Sequence, residues 1–271
     1  MGSDIVVGVL ALQGAFVEHI TLLKDAVHGS DRLRRSQWSF VEVRTPIELA
    51  QCSALIIPGG ESTTMTLVAQ RSGLLEPLRE FTKIQRHPVW GTCAGLILLA
   101  ESANRTKKGG QELIGGLDIR VNRNHFGRQT ESFEMNLALP FLDDSAKSER
   151  FRAIFIRAPV VERVLQSKPG SQTGEGCRAD SVIAPAQVAR TTSGQPFDVG
   201  EVEVLARLPP RPASLASGSS EAEAGDIVAV RQANCFGTSF HPELSHDARI
   251  HSWWLNSVLD QLELVLERKT D

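Results

Sequence analysis

The chain has 271 residues and a formal net charge of −3, with 41% hydrophobic and 23% charged residues. This composition suits one soluble globular domain, with or without large insertions, and lacks the basic excess of a nucleic-acid surface. No apolar run of about 18 residues occurs, so no membrane-spanning helix is expected.

Met1-Gly2-Ser3-Asp4 leads directly into the apolar run Ile5–Leu12 with no basic stretch before it. It reads as a first buried strand rather than a leader. Strands are expected at 4–12, 39–44, 53–58 and 88–91, and helices at 15–28, 62–70, 72–85 and 94–102. Alternation of nearly all-apolar strands with helices points to an α/β protein whose mostly parallel sheet is covered on both faces. Sites in such sheets form beyond the C-terminal strand ends. Pro58-Gly59-Gly60-Glu61 and Gly91-Thr92-Cys93 both fall there.

From about residue 113 the pattern changes. Short strands are expected at 117–122, 131–139, 151–157, 201–207, 226–231 and 235–240, forming a mixed or antiparallel extension. Ser245 to Arg268 reads as a helix, with Ile250, Trp253, Trp254, Val258, Leu259, Leu262 and Val265 near helical spacing. Polar stretches near 29–36, 166–198 and 208–225 lack apolar content and read as surface loop insertions in a single domain. The four cysteines, Cys52, Cys93, Cys177 and Cys235, contain no close CxxC pair. Neither zinc nor a disulfide framework is implied, and a reducing, cytosolic setting fits.

Cys93 carries the chemistry. It sits between a short apolar strand and the run Leu96–Ala100, with Gly91 two residues before and Gly95 two after. That is the geometry of a nucleophile elbow. The helix behind it aims its first N–H groups at the sulfur, which favours a thiolate. The alternative is a small apolar cysteine buried in a strand–helix core. His241-Pro242-Glu243, far downstream at an expected strand end, supplies a base and a group to orient it. Ala94 N–H and the Gly59-Gly60 turn are candidate oxyanion donors. Arg123, in Arg123-Asn124-His125-Phe126-Gly127-Arg128-Gln129, and Arg157, in Phe155-Ile156-Arg157-Ala158-Pro159, could grip a substrate carboxylate. Either could equally make a surface ion pair.

Gly-Thr-Cys-Ala-Gly with a later His-Pro-Glu resembles the class I (triad) glutamine amidotransferases. The Gly8–Phe16 segment with Gln13-Gly14-Ala15-Phe16, Ile57–Thr64, Arg123-Asn124 with Phe126–Gln129, Ser132-Phe133-Glu134, Phe155–Pro159 and Ser239–Leu244 narrow the likeness. They resemble the glutaminase subunits of pyridoxal 5′-phosphate synthase. The resemblance implies a flavodoxin-like three-layer fold and a cytoplasmic enzyme that needs neither cofactor nor metal. It implies that Cys93 attacks the side-chain amide of L-glutamine, His241 moves the proton and Glu243 orients His241. Gly59, Gly60, Glu61, Arg123, Ile156 and Arg157 would line the glutamine site, with Gly60 and Ala94 as oxyanion donors.

In that reading Gln13 lies near the ammonia exit toward a separate (β/α)8-barrel synthase subunit in a hetero-oligomer. That partner builds pyridoxal phosphate, in vitamin B6 biosynthesis, from a pentose phosphate and a triose phosphate, and switches the glutaminase on. The competing readings are a triad amidotransferase serving another acceptor and a catalytically silent regulatory subunit. The Gln13 block argues against the first, and the intact Cys93, His241 and Glu243 against the second.

Overall fold

The computed structural model describes residues 4–105, 112–123, 132–142, 149–168, 172–191, 194–210 and 225–270. The expected strand–helix alternation is present in the first half. It runs β1 (Ile5–Leu10), α1 (Phe16–Gly29), β2 (Trp38–Val43), α2 (Pro46–Leu49), β3 (Ala54–Ile57), α3 (Ser62–Arg71), α4 (Leu75–Arg79), β4 (Val89–Thr92) and α5 (Ala94–Leu99). The second half adds β5 (Ala100–Asn104), β6 (Leu117–Asn122), β7 (Ser132–Leu137), β8 (Phe151–Ile156), β9 (Val160–Val164), α6 (Thr173–Gly176), β10 (Ser181–Ile183), β11 (Glu203–Arg207), β12 (Ile227–Gln232), β13 (Cys235–Thr238) and α7 (Arg249–Thr270).

Strands β2, β1, β3, β4 and β13 lie side by side and parallel. Beyond β13 the sheet turns mixed through β12, β9, β6, β5 and β10, with only β6 and β5 parallel. β7 and β8 form a separate antiparallel pair. A mostly parallel centre with an antiparallel extension is therefore what the chain forms.

The two-residue alternation of the strands sorts the core into two layers. Val7 and Val9 of β1, Ala54 and Ile56 of β3, and Trp90 of β4 pack on one face with Leu23 and Ala26 of α1 and Trp254 and Val258 of α7. Leu10, Leu55, Ile57 and Val89 point the other way, onto Met65 of α3, Leu78 of α4 and Leu96 of α5. The parallel strands are buried on both faces, which is why they read as continuous apolar runs rather than alternating ones.

Three expectations need correction. The apolar run after Cys93 is helical only to Leu99. Ala100–Asn104 is strand β5, because it pairs with β6 and β10. A short apolar run does not distinguish these outcomes. The helix expected over 72–85 changes character after Arg79, continuing as a wider π-type turn over Glu80–Ile84.

The unpacked loop expected at 166–198 instead contributes α6 and the edge strand β10. Its anchor is polar. Buried Arg120 of β6 meets Glu175, Asp180, Ser181, Ser102 and Glu162. A hydrophobic pattern cannot register such a cluster. The 29–36 stretch is also tied down: Leu33 is buried and accepts a 2.8 Å bond from the Trp38 indole. Most of 208–225 lies outside the described residues, as does the side chain of Val265.

Gly95 sets how closely α5 approaches β3. A Cβ there would drive into the Ile57 carbonyl, and one at Gly91 would lie 2.5 Å from the Gly95 carbonyl carbon. Gly95→Ala is therefore expected to cost about 1–3 kcal/mol by overpacking, read as a lowered urea midpoint. An unchanged midpoint would contradict this packing.

Candidate active site

Four parallel strands end at one edge of the sheet, and their connections converge there. β1 leads to Gln13 and Gly14, β3 to Gly59 and Gly60, β4 to Cys93, and β13 to His241. Cys93 adopts φ +50° and ψ −102°, in a region that residues other than glycine seldom occupy. Its N–H donates to Thr238 O of β13 at 2.8 Å. A side chain held at such an angle between strand and helix is the elbow read from the sequence. The two flanking glycines have negative φ, so they serve close packing while the strain falls on Cys93.

His241 follows β13 and is fixed from β8, where Ile154 O accepts its N–H at 2.8 Å. Pro242 begins a short 3-10 turn that brings Glu243 back under the ring. Glu243 Oε1 lies 2.7 Å from His241 Nδ1, and Cys93 is close enough to the His241 side chain to interact with it electrostatically. Ile156 O of β8 faces the Cys93 sulfur at 3.9 Å. The structure thus brings Cys93, His241 and Glu243 into one chain of contacts.

Burial alone would lower the His241 imidazole, but its interactions with Cys93 and Glu243 override this and raise it from 6.5 to about 10. Burial pushes the Glu243 carboxyl up. Facing His19, the His241 bond and its own backbone N–H outweigh that and hold it low. Glu243 is only 2% exposed, so its contacts must carry the charge it keeps.

Gly59 packs on the His241 ring, where a Cβ would collide with it. Gly14, at φ +89°, lies against the Gly59 carbonyl with no room for a Cβ. Gln13 is exposed, and its Oε1 accepts the Glu61 N–H at 2.9 Å.

The Glu61 carboxylate is occupied as the cap of α3, accepting from Thr63 N, Thr64 N and Thr64 Oγ1. Arg123 donates to Ser62 Oγ at 2.8 Å and Thr63 Oγ1 at 3.3 Å. It supports the first turn of α3, and burial pulls its guanidinium down. Arg157 has φ +45° and is exposed, as is Ile156 beside it at the end of β8. Residues 124–129 of the arginine-rich block lie outside the described residues.

Sequence reasoning missed three buried polar side chains behind the triad: His19, Thr92 and His251, each 0% exposed. His19 lies among Leu22, Leu23 and Ala26 on the buried face of α1. The available signal was a histidine inside an apolar stripe. Among the described residues no cluster of His, Cys, Asp and Glu could hold a metal, and no helix is long and apolar enough to cross a membrane.

The sequence matches the model of the SNO glutamine amidotransferase family over residues 9–192 and 212–260. The chain belongs to that family. A probable pyridoxal 5′-phosphate synthase subunit PDX2 of Arabidopsis thaliana is 41% identical, covering 92% of this chain and 84% of the relative. The pyridoxal 5′-phosphate synthase subunit PdxT of Herpetosiphon aurantiacus is 38% identical over 92% of this chain and 98% of its own length. A crystal structure described as a glutamine amidotransferase superposes with a TM-score of 0.61 at 33% identity, covering 93% of this chain and 98% of that one.

A proton held to about 10 in the fold, against 6.5 ordinarily, stabilises the fold fully below about pH 6.5 and ceases to do so as pH rises through 10. The stability advantage of the wild type over His241→Asn should therefore shrink between pH 6.5 and 10. Urea denaturation across that range tests it. A constant difference would show that His241 is not held protonated.

Proposed function

We propose that this chain is the glutaminase subunit of a pyridoxal 5′-phosphate synthase, hydrolysing L-glutamine to glutamate and ammonia. The carrying observation is Cys93 at a strained strand–helix elbow, beside a His241 whose Nδ1 Glu243 holds at 2.7 Å.

In this reading the Cys93 thiolate attacks the side-chain carboxamide carbon of glutamine. The tetrahedral oxyanion is met by the N–H of Ala94 and, from the facing turn, of Gly60. His241 hands its proton to the departing nitrogen, so ammonia leaves and a γ-glutamyl thioester remains. His241, now neutral, takes a proton from water as its oxygen attacks the thioester; glutamate is released, and the Cys93 thiolate beside a protonated His241 is restored. Glu243 keeps the ring in the tautomer that presents Nε2 to the reaction. Gly59 and Glu61 from the turn and Arg123, Ile156 and Arg157 from the flanking strands border the glutamine site.

The Arabidopsis and Herpetosiphon relatives are named as subunits of the synthase, which supports a synthase subunit as the ammonia acceptor. We assign that role to a (β/α)8-barrel chain in a cytoplasmic hetero-oligomer. Exposed Gln13 binds the Glu61 N–H, so a partner seated over Gln13 could reach the Gly59–Gly60 turn directly. That contact offers a physical route by which docking would align the oxyanion donors.

Glutamate release should be low for the chain alone and rise sharply when the synthase subunit is added. Cys93→Ala should abolish release while leaving partner binding intact, and Glu243→Gln should lower kcat by about 10² or more. Full activity in Cys93→Ala would overturn the assignment. Strong hydrolysis without any partner would overturn the gating role of Gln13.

A further inference from the structure

Behind the triad, the buried polar side chains continue in a line. Glu243 Oε2 is buried and makes no hydrogen bond, and the group facing it is His19 Nε2 at 3.3 Å. The same nitrogen lies 3.4 Å from Thr92 Oγ1, on the residue before Cys93. His19 Nδ1 is 3.0 Å from His251 Nε2, and His251 Nδ1 has no partner. The Trp90 ring meets both imidazoles edge-on, with centroids 5.6 and 4.8 Å away. This column joins α1, β4, the turn after β13, and α7.

The proton positions follow from the ends of the line. A carboxylate only accepts, so the nitrogen facing it must carry a hydrogen. Burial lowers both His19 and His251, so each is neutral and has one N–H. His19 then has its hydrogen on Nε2 and accepts at Nδ1. His251 must donate from Nε2, which leaves its Nδ1 as a bare acceptor. No donor faces that Nδ1. Every other arrangement of two neutral rings places two lone pairs or two hydrogens against each other.

We propose that His19 is a positioning residue for the triad, presenting one N–H between Glu243 Oε2 and Thr92 Oγ1, and that His251 fixes its tautomer. His19 holds the second oxygen of Glu243, so the carboxylate cannot swing away and Oε1 stays on His241 Nδ1. It also ties the acid to the residue preceding the nucleophile, setting the spacing of Glu243 and Cys93 from within the core. His19 does not meet the substrate or the reacting atoms. The titratable and charged groups around it are Glu18 on its own helix, Glu243 and His241 after β13, and His251 on α7.

The inference rests on the glutaminase reading, and the test separates the two. Glutamine hydrolysis and Cys93 alkylation by iodoacetamide are followed against pH in the complex with the synthase subunit, in a Cys177→Ser background that removes the exposed thiol. Cys93→Ala reports on the reading itself, and Val258→Ala provides a destabilised core without touching the column.

For His19→Leu, kcat should fall about 10- to 100-fold, in the range found for partners that orient reactive ligands, with KM for glutamine nearly unchanged. The acid limb of kcat/KM and the onset of Cys93 alkylation should both move to higher pH, because Glu243 loses a donor that stabilises its charged form. His19→Gln, whose amide can offer N–H at the Nε2 position, should recover most of the rate. His251→Phe should have a smaller effect in the same direction. A wild-type pH profile and rate in His19→Leu, with Cys93→Ala inactive, would overturn the role of His19 alone. Loss of rate matched by Val258→Ala, with no shift in alkylation, would also overturn it. An active Cys93→Ala would overturn the underlying reading instead.

Discussion

The site depends on one close approach between backbones, α5 onto the end of β3 through Gly95 and the Ile57 carbonyl. No side chain fits between them. That contact lets α5 begin immediately after β4, which forces the backbone at Cys93 to φ +50°. The strain is sustained because the neighbours over-determine it. Gly91 packs against Gly95, the Cys93 N–H is bound to Thr238 of β13, and Leu96 and Leu99 are locked in the core. The thiol is thereby set at the sheet edge where the connections from β1, β3 and β13 also arrive.

The same edge shows how a largely apolar protein tolerates a run of buried polar groups. Glu243, His19, Thr92 and His251 are nearly or fully removed from water. Burial would penalise charge on any of them. Contacts around Glu243 and His241 favour their charged forms, whereas burial disfavours charge on the two deeper imidazoles. Each ring then needs only one donor and one acceptor. The aromatic faces of Trp90 and Trp254 complete the enclosure. After β3, Gln13 holds the Glu61 N–H and Arg123 holds Ser62 at the start of α3.

Much of this was legible in the residues. The apolar runs of β1, β3 and β4 announce strands buried on both faces. Gly91-Thr92-Cys93-Ala94-Gly95 announces a tight strand–helix turn, and His241-Pro242-Glu243 is short enough that the imidazole and carboxylate must be neighbours. What was not legible involves partners distant in sequence. The break from α5 to β5 at Ala100 is decided by pairing with β6 and β10. The ordering of 173–183 is decided by Arg120, whose value as a buried anchor appears only when Glu175 and Ser181 fold over it. That Glu61 caps α3 and Arg123 supports its first turn is likewise visible only in the fold.

The sequence by itself determined the period and polarity of the elements, the position of the elbow and the adjacency of His241 and Glu243. Each depends on residues a few positions apart, where chain geometry leaves little choice. The tertiary structure alone decided that His241 meets Cys93, that Gly59 lies against the imidazole, and that His19 and His251 stand in line behind Glu243. Those contacts join segments separated by most of the chain. Only the parallel order of β1, β3, β4 and β13, with α1 and α7 packed on one face, brings them within hydrogen-bonding distance.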